Sequence, residues 1–281
     1  MNSSILVLAN LPEAAAHTAR YAAALGRPLG LRLALLHCYL YPTLLEPELV
    51  GEVVEQLDRN EAETLAALRA LASRLPVPAE VIEASGLVED DVAAAIGRYQ
   101  PLLLAMGLGC AYGLLDELLR SQVMPVLRAT GRPVLLVPAA PLATAVAPVA
   151  PRRVLLAVDG GPFALAAASL NLRPLLASWG AAYTVAHILH GPDEAARSSH
   201  LALADVQATG LLPPAAPLRL YQEIYASPVA GISQALVDTR ADLLVLIARP
   251  RSFLGALFHR SVTAAVLRHS QVPVLLLPAV E

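Results

Sequence analysis

The stretch Arg120–Ala139, RSQVMPVLRATGRPVLLVPA, returns 140 residues later as Arg260–Ala279, RSVTAAVLRHSQVPVLLLPA. The copies agree without a gap at Arg-Ser, Val-Leu-Arg, Pro-Val-Leu-Leu and Pro-Ala. Each reads as a Ser near the start of an amphipathic helix, a polar corner, and a Pro that opens a short apolar run. That run is too short for a helix and lacks polar alternation, so it predicts a strand buried on both faces. A gapless match of this length makes the chain a tandem repeat at domain scale.

The 281 residues suit two domains, each long enough to bury a real core. The chain is 56% hydrophobic and 15% charged, the balance of a globular protein. A net charge of −3 offers nucleic acid no electrostatic attraction. Every basic residue is Arg; the sequence has no Lys. That excludes a phosphate-loop lysine, a Schiff-base lysine and a kinase-type lysine. Two cysteines, Cys38 and Cys110, make no disulfide framework, and a reducing cytoplasm is the expected setting. The start, MNSSILVLAN, carries no positive leader segment. The uncharged part of the chain after Pro133 is broken by Pro138, Pro141, Pro148 and Pro151, so it cannot form a membrane-spanning helix.

Along the first half, strand-like Ile5–Ala9 ends at Asn10, and an Ala-rich helix follows over Glu13–Leu25. Leu31–His37 is the next strand, Glu48–Leu75 one long helix or two, and Glu80–Ala84 a short strand. Val88–Tyr99 is a helix whose first-turn Glu89, Asp90 and Asp91 suit the helix dipole better than a catalytic cluster. Pro101–Met106 is a strand, followed by the glycine-rich GLGCAYG at Gly107–Gly113. Strands alternating with helices, five strands per half, predict right-handed crossovers and parallel sheets covered on both faces. The domains are expected at 1–139 and 152–281, with a stiff Pro/Ala linker over 140–151.

The second half repeats the plan. Val154–Val158 matches the first strand, with Asp159 in place of Asn10, and His187 matches His37. The offset grows by one between these points, and a kink or bulge in the helix containing Pro174 is expected to absorb it. Leu218–Ile224, Val229–Thr239 and Asp242–Ile247 read as strand, helix and strand.

The VDG at Val158–Gly160, the strands ending in His37 and His187, and the doubled VLR…PVLL element together resemble the universal stress protein family in its tandem form. The resemblance covers nearly the whole chain. It implies two Rossmann-like, doubly wound α/β domains, each with a mainly parallel five-stranded sheet, paired through their last strands as an intramolecular pseudo-dimer. A homodimer is compatible with it.

ATP-binding members of that family carry an Asp after the first strand that contacts the nucleoside. After the fourth strand they carry a Gly, two residues, a second Gly, nine residues, and Gly-Ser or Gly-Thr. Such a loop wraps phosphates with backbone N–H groups, and the last pair opens a helix whose N-terminus favours anions. Here both halves depart from the pattern. The first has Asn10 for the Asp, then Gly107, Cys110 and Arg120-Ser121, with Gly109 and Gly113 as extra glycines. The second keeps Asp159 but has Ile247, Pro250 and Arg260-Ser261. Arg120 and Arg260 either bind a small anion or pair with a nearby carboxylate, Asp159 being the candidate in the second half. Ser121 and Ser261 suit helix caps on either reading.

His187 and His190 are three residues apart with no third ligand in sight, so no metal site is expected. Cys38 and Cys110 follow strands without a base-and-acid pattern beside them, and no nucleophile signature is present. The resemblance therefore implies a cytoplasmic, non-enzymatic stress protein with degenerate ATP motifs and no required cofactor. It would act through a protein partner or a small anionic ligand, without a nucleic-acid or membrane partner. Two alternatives stand beside it: a regulatory protein that binds ATP or AMP, and a hydrolase of a nucleotide-like substrate.

Overall fold

Apolar runs such as SILVL and RLALLH bury almost every side chain, which requires layers on both faces of a sheet. The computed structural model describes residues 3–9, 12–37, 50–83, 88–108, 130–139, 147–189, 195–249 and 262–280. It divides into one unit of Met1–Gly107 with Ala139–Pro148 and another of Leu108–Pro138 with Val149–Glu281.

In the first unit, β1 (Ser4–Leu8), β2 (Arg32–His37), β3 (Ala79–Glu83) and β4 (Pro101–Leu108) lie in the order β3-β2-β1-β4, all parallel. The crossovers include α1 (Pro12–Gly26), α2 (Val50–Ala72) and α3 (Val88–Tyr99), so the span read as one helix or two is a single helix. Ile5, Leu6, Val7, Leu103 and Leu104 are fully buried. Each such side chain stabilises the fold by about 1.5–3 kcal/mol.

The second unit contains β5 (Val134–Pro138), β6 (Arg153–Val158), the two-residue β7 (Ala164–Leu165), β8 (Ala182–Leu189), β9 (Leu218–Ile224), β10 (Leu243–Ala248) and β11 (Val274–Val280). Its main path runs β5-β11-β10-β6-β8-β9. The pairs along β11-β10-β6-β8-β9 are parallel. The closing strands β5 and β11 pair antiparallel, as the resemblance implied, with Leu135 opposite Leu275. Those two are repeat equivalents (135 + 140 = 275), so a local twofold passes between them. β7, which the sequence did not suggest, pairs with the end of β11.

Helices α4 (Ala167–Leu170) and α5 (Arg173–Ser178) stand where the first half has the continuous α1. The break falls just before Pro174, which sits in the first turn of α5. A proline there needs no N–H donor, whereas inside a continuous helix it would cost a hydrogen bond. The extra residue is absorbed as an interruption between two short helices. The second unit is completed by α6 (Ala195–Ala208), α7 (Pro228–Thr239) and α8 (Val262–His269).

Candidate functional site

Open α/β sheets present ligands with a crevice at the carboxyl ends of neighbouring strands whose connections leave in opposite directions. In the second unit those strands are β6 and β10, which pair directly. β6 runs out into Asp159-Gly160-Gly161-Pro162-Phe163, and β10 runs out into Arg249.

The two exits are tied together. Arg249 Nη2 donates to Asp159 Oδ1 at 2.7 Å and to the Gly161 carbonyl at 2.8 Å, and Nη1 donates to the Pro162 carbonyl at 2.8 Å. The Gly161 N–H donates to the same Asp159 oxygen at 3.1 Å. The guanidinium carbon also lies 6.0 Å from the centre of the Phe163 ring. The arginine side chain is 29% exposed and the aspartate 65%. A pair this open contributes about 0–1 kcal/mol, so its importance is positional. The loop after β6 closes around a cation supplied by the chain itself.

Gly160 makes that loop possible. Its φ of +74° is a left-handed conformation, and a Cβ there would lie 2.5 Å from His187 Nε2. His187 is buried at the end of β8, opposite Val158 of β6. His37 takes the matching place in the first half, where its Nδ1 donates to the Ala9 carbonyl at 3.1 Å. Both histidines therefore pack at the exit of a first strand. His190 lies outside the described residues, and among those residues no group of three His, Cys, Asp or Glu could hold a metal ion.

In the first half, Gly107 belongs to β4, not to the loop after it. A Cβ on it would come within 2.7 Å of Ala14 Cβ and 2.8 Å of Thr18 Oγ1. Thr18 is fully buried and its hydroxyl donates to the Ala14 carbonyl at 2.8 Å. The glycine is thus required for the close approach of α1, whatever else it does. At the matching position of β10, Ile247 is accommodated half-buried.

Asp159 and Gly107 are placed in this way. Asn10, Cys38, Gly109, Cys110, Gly113, Arg120, Ser121, Pro250, Arg260 and Ser261 lie outside the described residues. Sequence reasoning passed over Arg249, although it named Asp159 as a carboxylate available to an arginine. Its signal was its position, between Ile247 and Pro250, inside the segment that corresponds to a phosphate loop.

The fold is a Rossmann-like α/β one, with its crevice at the carboxyl ends of β6 and β10. Residues 151–278 match the universal stress protein family. No curated protein matches the chain. Among solved structures, a universal stress protein from Archaeoglobus fulgidus DSM 4304 is similar over 99% of this chain and 97% of its own, with a TM-score of 0.67 and 18% identity. A functionally unknown protein from Pseudomonas aeruginosa PAO1 is similar over 98% and 92%, with a TM-score of 0.57 and 16% identity. The cytoplasmic domain of a prokaryotic cation chloride cotransporter is similar over 99% and 95%, with a TM-score of 0.55 and 12% identity. At these identities the likeness is one of fold, and it extends across both halves. No helix among the described residues is long and apolar enough to cross a membrane.

Proposed function

We propose that this chain is a tandem universal stress protein, divided at 1–139 and 152–281, that serves a stress response without catalysing a reaction. It acts in the cytoplasm through a protein partner or a small anion, and its ATP motifs have degenerated. One observation carries this reading: Arg249 occupies the crevice between β6 and β10 and engages Asp159, the residue that would otherwise meet a nucleoside. A nucleotide must displace the Arg249 hydrogen bond to reach Asp159 Oδ1. Ile247 and Pro250 also deny the loop two glycines, and Pro250 lacks an N–H donor. Arg120-Ser121 and Arg260-Ser261, together with Gly107 and Gly109, are the candidates for holding a small anion.

The exposure of Asp159 keeps a second reading in play, in which ATP or AMP binds by expelling Arg249. Calorimetric titration of wild-type protein with ATP–Mg at physiological salt separates the two. The proposal expects no heat of binding at micromolar concentrations; a saturable micromolar isotherm would establish the nucleotide-binding reading instead.

A further inference from the structure

We propose that residues 160–165 form a lid over the exit of β10, with Arg249 as its catch, and that this lid opens as a unit while the sheet beneath it stays folded. The path of the chain carries the argument. β10 lies between β6 and β11 in the sheet. The segment leaves the end of β6, and its last two residues, Ala164 and Leu165, pair with Val280 and Ala279 at the end of β11. On the way it crosses the carboxyl end of β10, whose last residue, Ala248, pairs with Pro278 of β11. Midway it meets Arg249, the residue that follows β10, which donates to the Gly161 and Pro162 carbonyls and to Asp159 Oδ1. One side chain thus ties the middle of the crossing to the strand being crossed.

Little else holds the segment down. Leu165 is the one buried side chain in residues 160–165, whereas Val274, Leu275, Leu276 and Leu277 of β11 are all buried. The pairing with β11 spans only two residues. A stretch with few buried apolar contacts and exposed backbone hydrogen bonds opens locally, at a free energy well below that of global unfolding.

The two ends of the segment suit hinges. Gly160 has a left-handed φ of +74° and is followed by a second glycine, so the backbone turns there at little steric cost. At the other end the Pro278 carbonyl accepts from the Ala166 N–H at 2.9 Å and from the Ser169 hydroxyl at 3.0 Å, and Ser169 is fully buried. That anchor belongs to the start of α4 and stays in place, so movement stops at residue 166. Opening breaks the Arg249 bonds and the β7–β11 pairing but none of the pairs among β6, β10 and β11. It uncovers the Asp159 carboxylate and the exit of β10. This device goes beyond the reading of the site as a degenerate motif, and it operates whether or not a nucleotide binds.

Hydrogen exchange followed by mass spectrometry tests it on the full chain, with Arg249→Ala and Asp159→Asn alongside wild type. In wild type the amides of residues 160–165 are expected to exchange well before those of β6, β10 and residues 274–277. Arg249→Ala removes the whole catch and should speed the segment about fivefold, the equivalent of one exposed charged contact. Asp159→Asn leaves the two carbonyl bonds and should speed it less. The rates in β6 and β10 should stay at their wild-type values in both variants. A wild-type segment that exchanges only as fast as β10 opens with the whole sheet and is no lid. Exchange that is indifferent to Arg249→Ala, or that quickens equally in β6 and β10, also overturns the proposal.

Discussion

The mouths of the two halves differ in the candidate residue each presents, and each such residue has an occupation within the fold. The first half keeps a glycine, Gly107, which lies inside β4 and lets α1 approach closely. The second half keeps an acid, Asp159, which is bonded to Arg249 from the neighbouring strand. Packing retains the one and a short-range ion pair the other. A residue that matches a ligand-binding motif can thus persist for reasons that need no ligand.

The largest expected effect comes from exchanging the two environments. Gly107→Ile places the side chain of position 247 under α1, where even a Cβ meets Ala14 and Thr18, and is expected to destabilise the chain by about 3 kcal/mol. Gly160→Ala is expected to cost about 1–3 kcal/mol, from its left-handed φ and the His187 ring. Ile247→Gly removes a half-buried side chain and costs about 2 kcal/mol. Urea denaturation midpoints rank the three. If Gly107→Ile is tolerated better than Ile247→Gly, packing does not explain the first-half glycine.

Much of this was legible in the sequence. Strand β9 and helix α3 fall where their patterns placed them, at Leu218–Ile224 and Val88–Tyr99, because turn signals bound both. The pairing of β5 with β11 followed from the repeat together with the family resemblance. The pair β7–β11 was not legible, since two residues carry no periodicity. Arg249 escaped notice because its role depends on three carbonyl and carboxylate oxygens from a segment some 90 residues earlier. No local pattern announces such a contact. In sequence His37 and His187 are legible only as the ends of matching strands, and the structure shows what they pack against.

A smaller effect distinguishes the first helices of the two halves. His17 in α1 has its pKa lowered from 6.5 by burial and, secondarily, by the Arg20 charge. The unfolded chain then binds the proton more readily, so stability is greatest above pH 6.5 and falls as the pH drops through the lower folded value. The interrupted α4–α5 pair carries no histidine. Denaturation midpoints of wild type and His17→Asn at pH 5 and pH 8 give the test: the variant should lose part of the pH dependence. An unchanged difference between the two pH values would show that His17 is not its source.

The central claim is that Arg249 holds Asp159 away from any nucleotide. Its most direct test is a calorimetric comparison of ATP–Mg binding to wild type and to Arg249→Ala. Stability should change by no more than about 1 kcal/mol, as for other exposed ion pairs. The account predicts that the variant gains affinity by about tenfold or more, equivalent to about 1.4 kcal/mol, and that adding Asp159→Ala abolishes the gain. Equal binding by wild type and Arg249→Ala, or a gain that survives loss of the aspartate, would contradict it.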